Sequence, residues 1–204
     1  MMDALIVVLF SYLMGSIPFG LILTKIYKKE DIRNIGSGNI GATNVLRTGN
    51  KSLAALTLVL DVLKGYIAVT FTKIYFPELI QLSCLVVFLG HIFPIWIKFK
   101  GGKGVATYLG ILIALSIQLG LLFMFTWMVV TLIFKYSSLS SMFSSFTVFV
   151  ITLIKETTLT SIDSLVYVDK EMKLILFIFF ILIMFTHKKN ILNLKNKSEH
   201  KIKI

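Results

Sequence analysis

Apolar runs of helical length alternate with short polar islands along this chain. The runs cover about residues 4–27, 53–76, 79–97, 105–134, 138–154 and 174–186, and the islands between them hold most of the charge. An α-helix needs ~20 apolar residues to cross ~30 Å of hydrocarbon, so the runs read as membrane helices. The first run contains Gly15-Ser16-Ile17-Pro18-Phe19-Gly20, where the missing N–H of Pro18 predicts a kink. Gly15, Ser16 and Gly20 there leave room for a neighbouring helix to approach closely.

The run at 105–134 is too long for one ordinary crossing and barely enough for two short ones. Loop charge decides between them. Two crossings, 105–117 and 119–134 with a turn near Gln118, Leu119 and Gly120, return Lys135 to the side of the earlier basic islands at 28–51 and 98–104. The mixed-charge island at 155–173 then lies outside, and Lys188, Lys189, Lys195, Lys197, Lys201 and Lys203 come back to the cytoplasm. A single crossing would put those lysines outside and Glu156, Asp163, Asp169 and Glu171 inside, against the preference of Lys and Arg for cytoplasmic loops. The expectation is one all-α, polytopic membrane domain over residues 1–204, with seven transmembrane helices, N-terminus outside and C-terminus cytoplasmic. Met1-Met2-Asp3 lacks the basic start of a signal peptide, and the run behind it outlasts a signal core, so the first span is expected to be retained.

Composition agrees with a membrane chain. Of 204 residues, 56% are hydrophobic and 15% charged, with a mean hydropathy of +0.87, more apolar surface than a soluble domain carries. A net charge of +11 could suggest nucleic acid. In a membrane chain, however, basic islands set orientation and meet anionic lipid, so membrane lipids are expected as partners and nucleic acid is not. Cys84 is the single cysteine, which excludes an intrachain disulfide and a cysteine metal cluster. Ser137, Ser141 and Ser145, with Ser140 and Ser144, recur every fourth residue and predict a helix-packing face, not a nucleophile.

Two islands carry more chemistry than a linker needs. The first reads Gly36-Ser37-Gly38-Asn39-Ile40-Gly41-Ala42-Thr43-Asn44 between Arg33 and Arg47. Its glycines allow backbone N–H groups to converge on an anion, and Ser37, Asn39, Thr43 and Asn44 add short donors, a composition suited to cradling phosphate. No Gly-Lys-Ser/Thr closes it as in a P-loop, and it is not the dinucleotide fingerprint after a strand. A flexible polar loop is the plain alternative. The second island runs from Gly90-His91-Ile92-Phe93-Pro94 to Lys100-Gly101-Gly102-Lys103-Gly104. Snorkelling at a membrane boundary would explain Lys98 and Lys100 but not the glycines around Lys103, which permit close approach to a second anion. In the tail, His187 and Asn190 stand three apart on one helical face and can address one ligand. In the second span, Asp61 and Lys64 fit a buried i,i+3 ion pair, because unpaired charge in lipid is costly.

Together these residues resemble the bacterial acyl-phosphate:glycerol-3-phosphate acyltransferase family. The resemblance rests on residues 36–47 and 90–107, with 15–20, Asp61-Val62-Leu63-Lys64-Gly65, His187 and Asn190 in support, and runs nearly the length of the chain. It implies a seven-helix enzyme of phospholipid synthesis in the bacterial cell membrane, the inner one where there are two. Such an enzyme moves a fatty acyl group from acyl phosphate, not acyl-CoA, to glycerol 3-phosphate, giving 1-acyl-glycerol 3-phosphate and phosphate. The resemblance implies Ser37, Arg47, Lys103, His187 and Asn190 as catalytic residues. It implies phosphate binding by Gly36, Ser37, Gly38, Asn39, Gly41, Thr43 and Asn44, and by Gly101, Gly102, Lys103 and Gly104. Asp61, Lys64 and Glu199 are the implied supports, and a soluble enzyme that makes acyl phosphate the implied upstream partner. The tail departs from the pattern: Asn193 and Lys197 stand where the family has arginine and glycine.

No cluster of His, Asp and Glu suggests a metal site, so chemistry without metal or cofactor is expected. A transporter or flippase for a phosphorylated solute is the main rival, since anion-binding glycine loops also line translocation paths. Against it, all the motifs fall on one predicted face, and no paired broken spans mark an inverted repeat. Transfer from a CDP-activated lipid would need an Asp-rich metal motif, and a membrane scaffold would not need so many short donors.

Overall fold

The computed structural model describes residues 1–28, 31–158 and 170–202, and every regular element among them is helical. The chain divides into two compact units, Met1–Leu115 and Ser116–Ile204. Glu30, Lys203, Asp163 and Asp169 lie outside the described residues, with most of the island expected on the outer face.

In the first unit the opening apolar run forms α1 (Met2–Ser16) and α2 (Phe19–Lys28), broken at Ile17 and Pro18 where the kink is expected. At the break the Ile17 carbonyl accepts from Lys64 Nζ at 2.9 Å. A short α3 (Ala42–Leu46) precedes α4 (Lys51–Tyr75), whose N-cap Asn50 accepts from the Leu53 N–H at 2.9 Å. At 25 residues α4 is about 37 Å long, enough to cross a bilayer. α5 (Ile80–Ile92) and α6 (Val105–Leu115) complete the unit.

Lipid is as apolar as a leucine side chain, so membrane helices associate through close packing. Glycines provide it here in reciprocal pairs. Between α1 and α5, a Cβ on Gly15 would strike the Val87 carbonyl, and one on Gly90 the Tyr12 carbonyl. Between α4 and α6, Gly65 faces the Thr107 carbonyl and Gly110 the Val62 carbonyl in the same way.

The second unit contains α7 (Ile117–Phe134), α8 (Ser137–Thr158), α9 (Lys170–Thr186) and α10 (Lys188–Lys195). The serine stripe of α8 packs on α7: Thr131 donates to Ser140 at 2.7 Å and the Trp127 indole to Ser141 at 3.2 Å. On α8's other neighbour, Phe146 meets Phe180 and Phe149 meets Phe177 with ring centroids 5.4 and 5.2 Å apart. α9 and α10 meet at a 59° bend.

Among the described residues, five helical segments are long and apolar enough to cross a membrane: Met2–Tyr27, Lys51–Tyr75, Pro77–Ile97, Ile117–Phe134 and Ser137–Ile154. The bent pair Met172–Thr186 and Lys188–Lys195 makes a sixth if counted as one span. Val105–Leu115 is apolar but has 11 residues, about 17 Å of helix. The turn expected near Gln118 to Gly120 falls earlier, at Ser116, whose extended backbone (φ −159°, ψ 123°) ends one helix and starts the next.

Candidate functional site

The first glycine-rich island is a folded element, not a linker. Its Ile32, Ile40 and Val45 join Leu21 and Leu23 of α2 and Leu53 and Ala54 of α4 in one buried apolar cluster. Each such side chain contributes roughly 1.5–3 kcal/mol on burial, enough to hold a short segment in place. Asn44, 2% exposed, organises the polar side. Its Oδ1 accepts from the Ser37 N–H at 3.0 Å, and its Nδ2 donates to the carbonyls of Ile32, Ile35 and Asn39 at 3.0, 2.9 and 2.8 Å.

Three backbone donors of this loop turn inward. Besides the Ser37 N–H held by Asn44, the Gly38 N–H donates to the Ile35 carbonyl at 3.0 Å and the Gly41 N–H to Asn39 Oδ1 at 3.2 Å. The expected nest of outward N–H groups is therefore not built at these three positions, and the Asn44 amide is spent within the loop. What the loop presents to its surroundings is the side chains of Ser37 and Arg47, both exposed. Gly36 takes φ +55°, and a Cβ there would strike the Asn44 side chain and the Arg47 stem. Arg47 can thus lie across Gly36, with Nη1 3.4 Å from Asn44 Oδ1. Asp31 accepts from both the guanidinium and the N–H of Arg33, and that hydrogen bonding lowers its carboxyl to about 2.

The glycines of the second loop also serve the chain's own packing. The N–H groups of Gly101 and Gly102 donate to the carbonyls of Ile92 and His91 at 3.0 and 3.1 Å, satisfying the last turn of α5. A Cβ on Gly102 would meet the His91 ring, and one on Gly104 the Phe88 ring. These N–H groups are engaged by α5 rather than turned to a phosphate, as was expected of them. Lys103, half-buried, stands just ahead of the N-terminus of α6, where the helix dipole adds to its charge.

Beneath this loop runs a buried polar chain. Asp61 and Lys64 form their ion pair at 2.7 Å, His91 Nδ1 lies 3.8 Å from the same Asp61 oxygen, and Thr107 Oγ1 is 3.2 Å from that nitrogen. With the Lys64 bond to Ile17, the chain joins the α1–α2 break, α4, α5 and α6. Sequence reasoning paired Asp61 with Lys64 but gave His91 no role. The available signal was a histidine on an apolar helix near the loop that packs on its ring.

In the second unit, Glu199 gathers the tail. Its Oε1 accepts from Asn190 and from Ser138 of α8, each at 2.7 Å, and its Oε2 from Asn193 at 3.3 Å. The Ile202 N–H reaches the Lys135 carbonyl at 2.8 Å. His187 sits at the α9–α10 bend with Nδ1 2.8 Å from the Ile183 carbonyl. A carbonyl only accepts, so Nδ1 carries a proton and donates it to Ile183. Lys197 takes φ +56°, a conformation suited to glycine.

Folded loops of a polytopic helical membrane protein that present a serine, an arginine and a lysine have the donors and the charge to bind phosphate. The family model described as glycerol-3-phosphate acyltransferase matches residues 5–197, and the chain belongs to that family of membrane acyltransferases. It is 53% identical over 203 residues to the glycerol-3-phosphate acyltransferase of Pelagibacter ubique (strain HTCC1062), covering 100% of both chains. To that of Wolbachia sp. subsp. Brugia malayi (strain TRS) it is 47% identical, covering 98% of this chain and 99% of the relative. Among solved structures it resembles PlsY (YgiH), an integral membrane glycerol 3-phosphate acyltransferase, in its glycerol 3-phosphate form. There the TM-score is 0.87 at 34% identity, over 98% of this chain and 96% of that one. The lysophosphatidic acid form gives a TM-score of 0.85 at 32% identity, over 98% and 95%.

Proposed function

We propose that this chain transfers a fatty acyl group from acyl phosphate to glycerol 3-phosphate, giving 1-acyl-glycerol 3-phosphate and inorganic phosphate as the first acylation of phospholipid synthesis. The observation that carries the reading is the first loop, which spends the N–H groups of Ser37, Gly38 and Gly41 within itself and leaves the side chains of Ser37 and Arg47 exposed. Both substrates carry phosphate, which a guanidinium and a hydroxyl suit. The solved relatives named for their glycerol 3-phosphate and lysophosphatidic acid forms support the acceptor and the product.

Acyl phosphate is a mixed anhydride with a good leaving group. The acceptor hydroxyl oxygen attacks its carbonyl carbon, the new ester C–O bond forms, the bond to the phosphate oxygen breaks, and the hydroxyl proton passes to a phosphate oxygen. No acyl-enzyme is needed, and among the described residues neither Ser37 nor buried Cys84 is given the paired base that would make it a nucleophile. In this scheme Ser37 contacts the donor phosphate, Arg47 and Lys103 balance the phosphate charge as it changes, and His187 orients by hydrogen bond with Asn190 beside it in the tail. Gly36, Gly38, Asn39, Gly41, Thr43 and Asn44 shape the first loop, and Gly101, Gly102 and Gly104 the second.

The same reading takes the chain as one acyltransferase domain of the bacterial cell membrane. It has seven crossings with Val105–Leu115 as a short one, an outer N-terminus, a cytoplasmic C-terminus, and a soluble acyl-phosphate-forming enzyme upstream. The test is an assay of purified protein with glycerol 3-phosphate and either palmitoyl phosphate or palmitoyl-CoA. Product from the phosphate alone is expected, and product from the CoA ester alone would refute the donor.

A further inference from the structure

We infer that Lys25, Arg33, Lys98 and Lys100, with Trp96, form a binding site for an anionic phospholipid of the surrounding bilayer. These residues line a groove of about 350 Å³ between α2, the turn at Arg33 and the segment after α5. Among the described residues, none that lines it is acidic. Asp31 is already paired with Arg33, so Lys25, Lys98 and Lys100 supply the net charge. A second groove of about 360 Å³ shares Leu21, Lys25, Trp96 and Ile97 with the first and continues along Ile17, Pro18 and Ile22. One end is cationic and the other apolar, the layout of a phospholipid headgroup followed by its acyl chain.

The wall between the two grooves is held in place. The Trp96 indole N–H donates to Ser16 Oγ at 2.8 Å, so the ring stands at the α1–α2 break while 62% of the residue remains exposed. Lys98 and Phe99 both adopt left-handed backbone (φ +55° and +59°), and the Phe99 N–H is tied to the Pro94 carbonyl at 3.0 Å. That turn sets Lys98 and Lys100 on the same groove. A free phosphate would make no use of the apolar half. Neither Ser37, Arg47 nor Lys103 lines either groove, which separates this site from the residues assigned to the acyl donor. A bilayer lipid with a phosphate diester headgroup satisfies both halves, and each lysine near an anionic surface contributes about fivefold in affinity.

The chain has two tryptophans, so Trp127→Phe leaves Trp96 as the only reporter. The purified variant is reconstituted in phosphatidylcholine vesicles doped with chain-brominated phosphatidylglycerol or, at the same fraction, chain-brominated phosphatidylcholine. The expected result is that phosphatidylglycerol quenches Trp96 with at least about fivefold greater effectiveness, the contribution of a single lysine, and that adding K25Q, K98Q and K100Q removes the difference. Equal quenching by the two lipids overturns the proposal, as does a preference that survives the three substitutions. Displacement of the brominated phosphatidylglycerol by an acyl phosphonate also overturns it, since the groove would then belong to the donor. The unsubstituted lysine background carries the first comparison by itself, so misfolding of the triple variant does not rescue the proposal.

Discussion

The side-chain oxygen of Asn44 holds the backbone N–H of Ser37 at 3.0 Å, seven residues away along the chain. That bond and the three made by the Asn44 amide nitrogen fix where the Ser37 hydroxyl and the Arg47 guanidinium sit. Each contributes about 1 kcal/mol net, and their loss takes the Asn44 amide from the Asn39 carbonyl and leaves those of Ile32 and Ile35 to the backbone N–H groups of Ile35 and Gly38. Asn44→Ala is therefore expected to lower kcat/KM for glycerol 3-phosphate by about 10²-fold while the membrane helices stay folded. Unchanged kinetics with an unchanged melting temperature would show that the loop does not depend on Asn44.

The buried pair in α4 makes a second prediction. Removing one partner leaves an uncompensated charge among apolar helices, whereas replacing both by apolar residues of similar size removes the problem. Lys64→Met is expected to destabilise by about 3–5 kcal/mol, and Asp61→Leu with Lys64→Met by much less. Thermal unfolding of the purified proteins checks this. A double variant as unstable as the sum of the singles would mean that His91 and the Ile17 carbonyl need the charges themselves.

Much of the architecture was legible because apolar run length is a one-dimensional signal. Pro18 marked its own break, and Ser140 and Ser141 marked the face toward α7. The turn at Ser116 was missed by two residues, since an apolar run gives no sign of where one helix stops. The inward use of the loop donors was not legible either. Asn44 reads as one more short donor until the chain brings the carbonyls of Ile32, Ile35 and Asn39 around it, from 12, 9 and 5 residues away. The tail shows a legible departure with a physical consequence: Lys197 takes a left-handed conformation in place of glycine, and Asn193 reaches Glu199 with a single bond of 3.3 Å where a guanidinium could make two.

The proton path of the reaction is open to kinetics. With a substrate phosphate as acceptor, the acidic limb of the pH–rate profile follows phosphate ionisation. It should persist in a weakly active His187→Gln variant, since in the proposed scheme His187 only orients. Disappearance of that limb in the variant would make the Nε2 of His187 the base.

Asp31 and Arg33 give a pH-dependent contribution to stability with a fixed sign. The Asp31 carboxyl is lowered to about 2 by its hydrogen bonds to Arg33, below the ~3.9 of an unfolded aspartate. Its contribution is fully present above about pH 4 and is lost as pH falls toward about 2. Solvent screening of so exposed a pair keeps it under about 1 kcal/mol. Asp31→Asn should therefore melt slightly below wild type near neutral pH, with the gap closing on acidification. A gap that widens in acid would contradict the pairing.

The central claim is that the first loop presents Ser37 and Arg47 to phosphorylated substrates. Its most direct measurement is the rate of palmitoyl transfer from palmitoyl phosphate to glycerol 3-phosphate by purified Ser37→Ala and Arg47→Ala proteins, beside wild type at matched folding. In the proposed scheme each contact serves an anion whose charge changes during transfer, so each variant should lose about 10²-fold or more in turnover with expression and melting temperature preserved. Wild-type turnover in both would contradict the account and return the loop to a structural connection between α2 and α4.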